Sequence, residues 1–258
     1  MTTIQLTKDT TLYVSQIIDN LPDLAQYFGA DTEEIVNHAQ RQFKATHRQH
    51  EWLTVRAMLR HALGPDARIQ YTESGKPLLT LNSLNSLNSA KALPPRGGAG
   101  RGSVSVSHSK THAALLLSTH SDIGVDIECV SHRVLRLASR IAQPDELPES
   151  FATMTDDEKA LYLTTLWTIK EAVYKSLDHQ AGFDLLTDVR VNPHTALAAL
   201  NSMVNGEAVA RTCICCRRSR CKSCRQVRER SVNPQSSILN PQSVLCQLYE
   251  GNVIAVKM

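Results

Sequence analysis

Residues 103–128 read SVSVSHSKTHAALLLSTHSDIGVDIE, and this stretch holds three candidate strands. Ser103–His108 alternates serine with valine, residues 113–117 form a short apolar run, and residues 122–128 alternate again with isoleucine and valine on one face. Alternation with a period of two is typical of a half-buried strand, and a short apolar run fits a fully buried strand. Because only short turns separate the three segments, we predict an antiparallel meander.

Helical patterns lie on both sides of this stretch. Residues 47–63 place apolar side chains at helical spacing, and Gly64 with the following proline stops that helix. A longer helix begins at Thr155, which forms a capping box with Glu158 ahead of a stripe of large apolar residues.

The C-terminal residues 244–257 read as a β-hairpin with its turn at Glu250 and Gly251. Helices and antiparallel strands are therefore mixed along the chain. This mixture predicts the α+β class.

Two low-complexity stretches interrupt the pattern. Residues 82–102 repeat Asn-Ser-Leu and continue into a Pro/Gly/Arg-rich run, while residues 211–243 are rich in Cys and Arg and then repeat Asn-Pro-Gln-Ser. Both hold few large apolar residues that could offset the entropy lost on ordering, so we predict long surface loops. Cys221 and Cys224 have CxxC spacing, which leaves zinc binding open as an alternative.

Composition narrows the class of protein. Hydrophobic residues make up 42% and charged residues 21%, and no apolar run approaches the roughly 20 residues that span a bilayer. The N-terminus lacks the basic start and apolar stretch of a secretory signal, so we expect a cytoplasmic protein with no membrane partner. Between Arg211 and Arg230, seven arginines and one lysine stand against one glutamate, and nucleic-acid binding by this segment is a weaker alternative.

The strongest chemical signal begins with GVDIE, residues 124–128. On a strand, Asp126 and Glu128 point to one face and lie roughly 7 Å apart. Two carboxylates on one face repel unless a cation lies between them, and oxygen ligands suit Mg²⁺. Alternatively, the two could be the solvated face of an edge strand.

The second half of the signal is LWTIKEAVYK, residues 166–175. On a helix, Trp167, Glu171 and Lys175 recur every four residues on one face, with Lys170 beside it. A third carboxylate and two ammonium groups would complete a metal and phosphate site. Glu171 and Lys175 could instead be an ordinary helix pair that contributes about 0.2–0.5 kcal/mol.

The two motifs together resemble the signature of the 4′-phosphopantetheinyl transferase superfamily: GVDIE, a spacer, then W-x-x-K-E-x-x-x-K. Three more segments agree in order, and they are RQHEWLTVR at 48–56, GKPLL at 75–79 and SVSHS at 105–109. The first is similar to the arginine-bearing helix of the longer, two-lobed members that activate surfactin synthetase. The resemblance extends from about residue 47 to residue 187 and resumes in the final hairpin.

This resemblance implies an enzyme that transfers the 4′-phosphopantetheine group of coenzyme A to a serine of an apo acyl or peptidyl carrier protein, as in fatty acid biosynthesis, and releases 3′,5′-ADP. It implies two similar α+β lobes, each an antiparallel sheet with a packed helix, related by a pseudo-two-fold axis. We expect the lobes at 1–120 and 121–258, with coenzyme A and Mg²⁺ in the cleft between them. A monomer would suffice, because one chain would hold both halves of the site.

The resemblance also implies residue roles. Asp126, Glu128 and Glu171 would bind Mg²⁺, with Asp126 also part of the coenzyme A site. Glu171, directly or through a water, would take the proton of the carrier serine, and Lys170 and Lys175 would contact phosphate. The implied nucleotide and phosphate contacts of the other lobe are Arg48, Arg56, Lys76, Ser107 and His108.

Two neighbouring residues receive other roles. We expect Trp167 to pack its helix rather than to contact substrate, because large aromatics usually serve the core. Glu146 is expected to match the second acidic element of the family, although SRIAQPD at 139–145 lacks the bulky aromatics usual there.

Two rival functions stay open. One is another Mg²⁺-dependent phosphotransferase, although the chain has no GxxxxGK phosphate loop. The other is a non-catalytic nucleic-acid-binding protein on the same fold, against which the intact acidic and basic residues of the two motifs argue.

Overall fold

The computed structural model describes residues 1–73, 75–81, 102–177, 182–205, 210–216 and 242–258. The chain divides into two compact units, Met1–Ile127 and Glu128–Met258. The sequence placed the division after residue 120, in the turn before Asp122. The predicted two-fold relation between the lobes stays a prediction.

The first unit combines antiparallel strands with a group of helices. Its strands are β1 (Thr2–Thr7), β2 (Thr10–Gln16), β3 (Ala67–Tyr71), β4 (Pro77–Leu81), β5 (Ser103–His108) and β6 (His112–Ser118). Its helices are α1 (Leu21–Phe28), α2 (Thr32–Gln42) and α3 (Thr46–Leu63), with a 3-10 turn at Gly29–Asp31. Strand β7 (Gly124–Cys129) crosses the division.

Strands β1, β2, β6 and β5 form one antiparallel sheet in that order, and β3 pairs with β4 separately. Helix α3 covers this sheet with a stripe that includes Val55 and Leu59, which pack with Leu115 and Leu117 of the wholly buried β6. The predicted helix 47–63 is confirmed. It ends where the amide of Gly64, at φ 88°, donates to Arg60 O over 2.8 Å.

The second unit has the same kinds of element in another order. Its helices are α4 (Ala138–Ile141), α5 (Asp156–Ser176), α6 (Leu185–Asp188) and α7 (Pro193–Val204), with 3-10 turns at His132–Leu137, Pro144–Glu146 and Glu149–Thr153. Its strands are β8 (Val189–Val191), β9 (Ala210–Cys216), β10 (Gln242–Tyr249) and β11 (Asn252–Lys257), and the order of the second sheet is β7-β11-β10-β9-β8.

Helix α5 follows the sequence prediction closely. The side chains of Thr155 and Glu158 each bond to the other residue's backbone amide, which satisfies two of the donors that a helix start leaves open. The predicted apolar stripe is buried in the core of this unit, and its members are Tyr162, Leu166, Ile169 and Val173.

The predicted C-terminal hairpin is also confirmed. Strands β10 and β11 pair antiparallel from Val244↔Lys257 to Tyr249↔Asn252. Glu250 and Gly251 form the turn at φ 45° and 74°, the left-handed region that a two-residue hairpin turn requires. The α+β class with antiparallel sheets is therefore confirmed.

The predicted three-stranded meander is wrong in its last strand. β5 pairs with β6 as expected, from Ser103↔Ser118 to His108↔Ala113. β7 stands in the second sheet instead. The reason is that β2 already pairs with the other edge of β6, so β6 offers no free backbone edge to a third strand.

The prediction of one loop over residues 211–243 is wrong at both ends. Its first residues lie in β9, which pairs with β10 through Thr212↔Val244 and with β8 through Ile214↔Val191. Backbone hydrogen bonds on both edges offset the ordering entropy. Residues 82–101 and 217–241, with Cys221 and Cys224, lie outside the described residues, so the loop and zinc predictions there stay predictions.

Across the parts of the chain that the structure describes, no helix is both long enough and apolar enough to cross a membrane.

Candidate active site

Asp126 is held inside the first unit by the serines of β5. Only 2% of its surface is exposed, and Ser107 Oγ donates to Asp126 Oδ1 over 2.7 Å. The same Oγ accepts from the amide of Ile127 at 3.4 Å, and Ser105 Oγ accepts from the amide of Val125 at 3.0 Å. The alternative that Asp126 belongs to a solvated strand face is therefore wrong.

Ser107, a predicted nucleotide contact, is buried beside Asp126. Its residue is 6% exposed, and the single proton of its hydroxyl is directed at Asp126. Ser107 therefore orients a carboxylate, and its nucleotide contact stays a prediction. Its sequence position, alternating with Ser105 on one face of β5, was the available signal.

Glu128 is half-buried and is positioned by α5. The indole nitrogen of Trp167 donates to Glu128 Oε1 over 3.3 Å, and the body of the indole packs against the core of the second unit. Trp167 thus has the packing role expected of it. It also orients one of the two carboxylates of β7, a contact that the sequence did not predict.

Glu171 and Lys175 follow Trp167 by one and two turns of the same unbroken helix. Both are half-buried rather than fully exposed. Because residues four apart share a helix face, Glu171 lies on the side of α5 that contacts Glu128.

The surroundings of Lys170 differ from those that the sequence predicted. Its Nζ lies 2.7 Å from Glu146 Oε2, and both side chains are 1% exposed. Burial lowers the pKa of Lys170 from its ordinary value, and the ion pair with Glu146 opposes that shift. An ammonium enclosed in this way does not contact a phosphate.

Glu146, which was expected to match the second acidic element of the family, joins three parts of the second unit. Besides the ion pair with Lys170, Glu146 Oε1 accepts from the amide of Val191 at 2.9 Å and Glu146 Oε2 accepts from the amide of Gln143 at 2.9 Å. Tyr162 donates its hydroxyl to the Glu146 carbonyl over 2.7 Å. The sequence held a signal for Lys170, since it is four residues after Leu166 and three before Val173, within the buried stripe.

In the first unit, two of the predicted phosphate contacts meet. Arg48 Nη1 lies 3.2 Å from His108 Nε2 and 3.0 Å from Glu51 Oε2, and His108 Nδ1 lies 3.4 Å from Glu51 Oε1. Arg48 comes from α3 and His108 ends β5. Sequence reasoning missed Glu51.

The other two predicted phosphate contacts of the first unit, Arg56 and Lys76, each have a different set of neighbours. The Arg56 guanidinium stacks over the Trp52 ring at 4.1 Å and hydrogen-bonds to the Tyr71 side chain. Burial lowers the pKa of Arg56, and Tyr71 opposes that shift. Lys76 is half-buried in the turn between β3 and β4, where its amide donates to Thr72 Oγ1 over 3.0 Å.

The residues of β7 suit a hard cation in their chemistry. Asp126 and Glu128 offer carboxylate oxygens from alternate positions of one strand, which is the donor type that Mg²⁺ prefers. Over the described ranges, no group of three or more His, Cys, Asp or Glu side chains is placed to hold a metal ion. The assignment of a third metal ligand is therefore a proposal.

Comparison with known proteins finds a similarity in the region that contains β7 and α5. Residues 122–220 match the 4′-phosphopantetheinyl transferase superfamily. The chain is 32% identical over 130 residues to the 4′-phosphopantetheinyl transferase AcpT of Escherichia coli K12, and equally to that of Escherichia coli O157:H7. It is 30% identical over 130 residues to AcpT of Salmonella typhimurium.

These matches cover 50% of this chain, 57% of each Escherichia coli relative and 58% of the Salmonella one. The chain thus spans somewhat more than half the length of the curated relatives it matches. The superfamily match begins at Asp122 and contains both β7 and α5, with Asp126, Glu128, Trp167 and Glu171. Through this region the chain is similar to members of the 4′-phosphopantetheinyl transferase superfamily.

Proposed function

We propose that this protein transfers the 4′-phosphopantetheine group of coenzyme A to a serine hydroxyl of an apo carrier protein and releases 3′,5′-ADP. The superfamily match across both motifs supports the reaction class. The observation that carries the assignment of residues is the hydrogen bond from Trp167 to Glu128, because it joins the strand of one motif to the helix of the other.

The proposed metal ligands are Asp126, Glu128 and Glu171. When bound, Mg²⁺ would neutralise charge on the pyrophosphate and on the leaving nucleotide. The chain's own contribution is orientation. Ser107 fixes Oδ1 of Asp126, and Trp167 fixes Oε1 of Glu128.

Glu171 is the proposed base, directly or through one water. It accepts the proton of the carrier serine as the serine Oγ forms a bond to the phosphorus that bears the pantetheine arm. The bond from that phosphorus to the ADP oxygen breaks, and 3′,5′-ADP leaves with the electron pair. Lys175 contacts a phosphate oxygen as a point charge and stabilises the charge that builds there.

Arg48, His108, Arg56 and Lys76 are proposed to bind phosphate groups of coenzyme A. Arg48 and His108 both reach solvent, with side chains 54% and 36% exposed. The Arg56 guanidinium lies over the Trp52 ring at 4.1 Å, which limits its movement before a ligand arrives.

The test is incubation of the full chain with coenzyme A, Mg²⁺ and several apo carrier proteins, read by intact mass. We expect the mass of one phosphopantetheine group on a carrier, lost with a chelator or when the carrier serine is replaced by alanine. No mass shift on any carrier, beside a working control transferase, would refute the proposal. Salt-dependent retention on DNA without transfer would favour the nucleic-acid alternative.

A further inference from the structure

Three side chains of the first unit form a closed ring. Arg48 and Glu51 lie three residues apart on α3, and His108 completes the ring from the end of β5, with contacts of 3.0, 3.2 and 3.4 Å. Side-chain exposure is 54% for Arg48 and 36% for His108 but only 12% for Glu51. Two basic groups therefore reach solvent, while the carboxylate that contacts both lies deeper.

The geometry assigns the proton of His108. A guanidinium only donates, so Nε2 of His108 accepts from Arg48 and carries no hydrogen. The imidazole is then neutral with its proton on Nδ1, which faces Glu51 Oε1. The charge of Arg48 is balanced by Glu51, and the ring has no net charge.

We infer that Glu51 is an internal competitor for the anion site made by Arg48 and His108. This rests on the proposed function, in which that site takes a phosphate of coenzyme A. A phosphate monoester carries a charge of about −1.5 to −2 at pH 7 and three acceptor oxygens, so it can displace a single carboxylate from both partners. When the ligand leaves, Glu51 re-forms its two contacts.

The consequence is weaker retention of every ligand that uses this site. Coenzyme A and 3′,5′-ADP both carry the 3′-phosphate monoester, so the product would occupy the site as firmly as the substrate. A carboxylate that competes with both raises the dissociation rate of the product. Glu51 is thus a residue that tunes turnover without contacting the reacting phosphorus.

A second ion pair, between Arg60 of α3 and Asp31, has the opposite arrangement. Arg60 Nη2 lies 2.7 Å from Asp31 Oδ2, but there the arginine side chain is 8% exposed and the carboxylate 53%. Asp31 lies outside its cation, whereas Glu51 lies inside its own. A carboxylate on the outside shields a buried cation, while one on the inside competes with a ligand that arrives from solvent.

Calorimetry on the full chain with coenzyme A, 3′,5′-ADP and dephospho-coenzyme A tests this inference. Glu51→Gln keeps the shape and removes the charge, so it should tighten coenzyme A and 3′,5′-ADP by about fivefold, the size of one partly exposed ion pair. Dephospho-coenzyme A lacks the 3′-phosphate and should bind Glu51→Gln and wild type alike. Asp31→Asn, the matched control, should leave all three affinities unchanged.

Unchanged or weaker binding of 3′,5′-ADP to a Glu51→Gln protein with a wild-type melting curve would overturn the inference, since Glu51 would then be neutral or would position Arg48. Glu51→Ala provides the second variant and should change the affinities in the same direction. If wild type transfers phosphopantetheine and only the Glu51 effect is missing, the proposed function stands. If wild type binds neither coenzyme A nor 3′,5′-ADP, both are overturned.

Discussion

Ser107 and Ser105 make a natural comparison at the scale of single residues. Both hydroxyls are buried and both accept from an amide of β7, but only Ser107 also donates to Asp126. Replacing each serine in turn therefore distinguishes two roles: both serines support β7, but only Ser107 orients the Asp126 carboxylate.

Ser107→Ala should weaken binding of Mn²⁺, used in place of Mg²⁺, because it frees the Asp126 carboxylate to turn. Each alanine variant leaves a buried polar group without its partner, so both should lose about 1–3 kcal/mol in the free energy of unfolding. Only Ser107→Ala should lose metal affinity, measured by calorimetry in the absence of coenzyme A. Equal metal affinity in the two variants would contradict the orienting role.

Glu171→Gln should slow phosphopantetheine transfer at least about 100-fold, because it removes the charge of a proposed base and ligand while keeping its shape. Lys175→Met should lose less rate and bind coenzyme A more weakly. The rate losses of the two should not add in the double variant, since both act on one phosphate cluster. If Glu171→Gln keeps more than about half of the wild-type rate, Glu171 is neither ligand nor base.

Lys170→Met should lower the free energy of unfolding by about 3–5 kcal/mol, because it leaves Glu146 buried without its cation. The pH dependence follows from the lowered pKa of Lys170. Between that pKa and the ordinary value of 10.5, the unfolded chain binds more protons, so wild-type stability should gain a rising contribution as pH increases. Urea unfolding from pH 7 to pH 10.5 should show this contribution in wild type and not in Lys170→Met.

At the scale of elements, the pairing of β9 with β10 sets the limits of the segment that can be deleted between the two strands. Their paired residues run from Cys246↔Ala210 to Gln242↔Ile214, so the sheet itself requires the chain through Cys216 and from Gln242 onward. The low-complexity sequence between them contributes no described strand pair.

Replacing residues 217–241 with a short Gly/Ser linker should preserve folding and most of the transferase activity, because loop-closure entropy depends only weakly on length. The matched control extends the replacement to residues 212–242, which deletes most of β9 and should lower the melting temperature strongly. Stoichiometric zinc in the full chain, or collapse of the shorter replacement, would show that the Cys/Arg-rich segment is structural. Metal analysis and thermal melts read both outcomes.

Prediction from sequence succeeded where the signal was local. The Thr155 capping box, the helix stop at Gly64 and the turn at Glu250 each depend on residues within a few positions. The partner of β7 could not be read in this way, because pairing is decided by which strand edges remain free after distant segments have paired. The same limit hid the contact of Lys170 with Glu146, 24 residues earlier in the chain.

At the scale of the whole molecule, each unit has its own buried core, with α5 and β10 in one and α3 and β6 in the other. The division of the chain into two units agrees with a protein whose parts fold around separate cores.

We predict that the protein is active as a monomer. We expect light scattering to give the mass of one 28.5 kDa chain, and the rate per chain to stay constant on dilution. A dimer whose dissociation removes activity would show that a second copy completes the site. That result would contradict the proposal that one chain holds all the site residues.

The buried pair of Glu146 and Lys170 limits how this sequence can diverge. Replacing either residue alone leaves a charge enclosed at 1% exposure, while replacing both by uncharged residues can be neutral or even stabilising if position 146 keeps an acceptor for the amides of Val191 and Gln143. The route to an uncharged core thus passes through single mutants that are several kcal/mol less stable, a large share of a typical domain's roughly 5–15 kcal/mol. In a mutational library the two positions should tolerate change only together, even though an uncharged pair would fold.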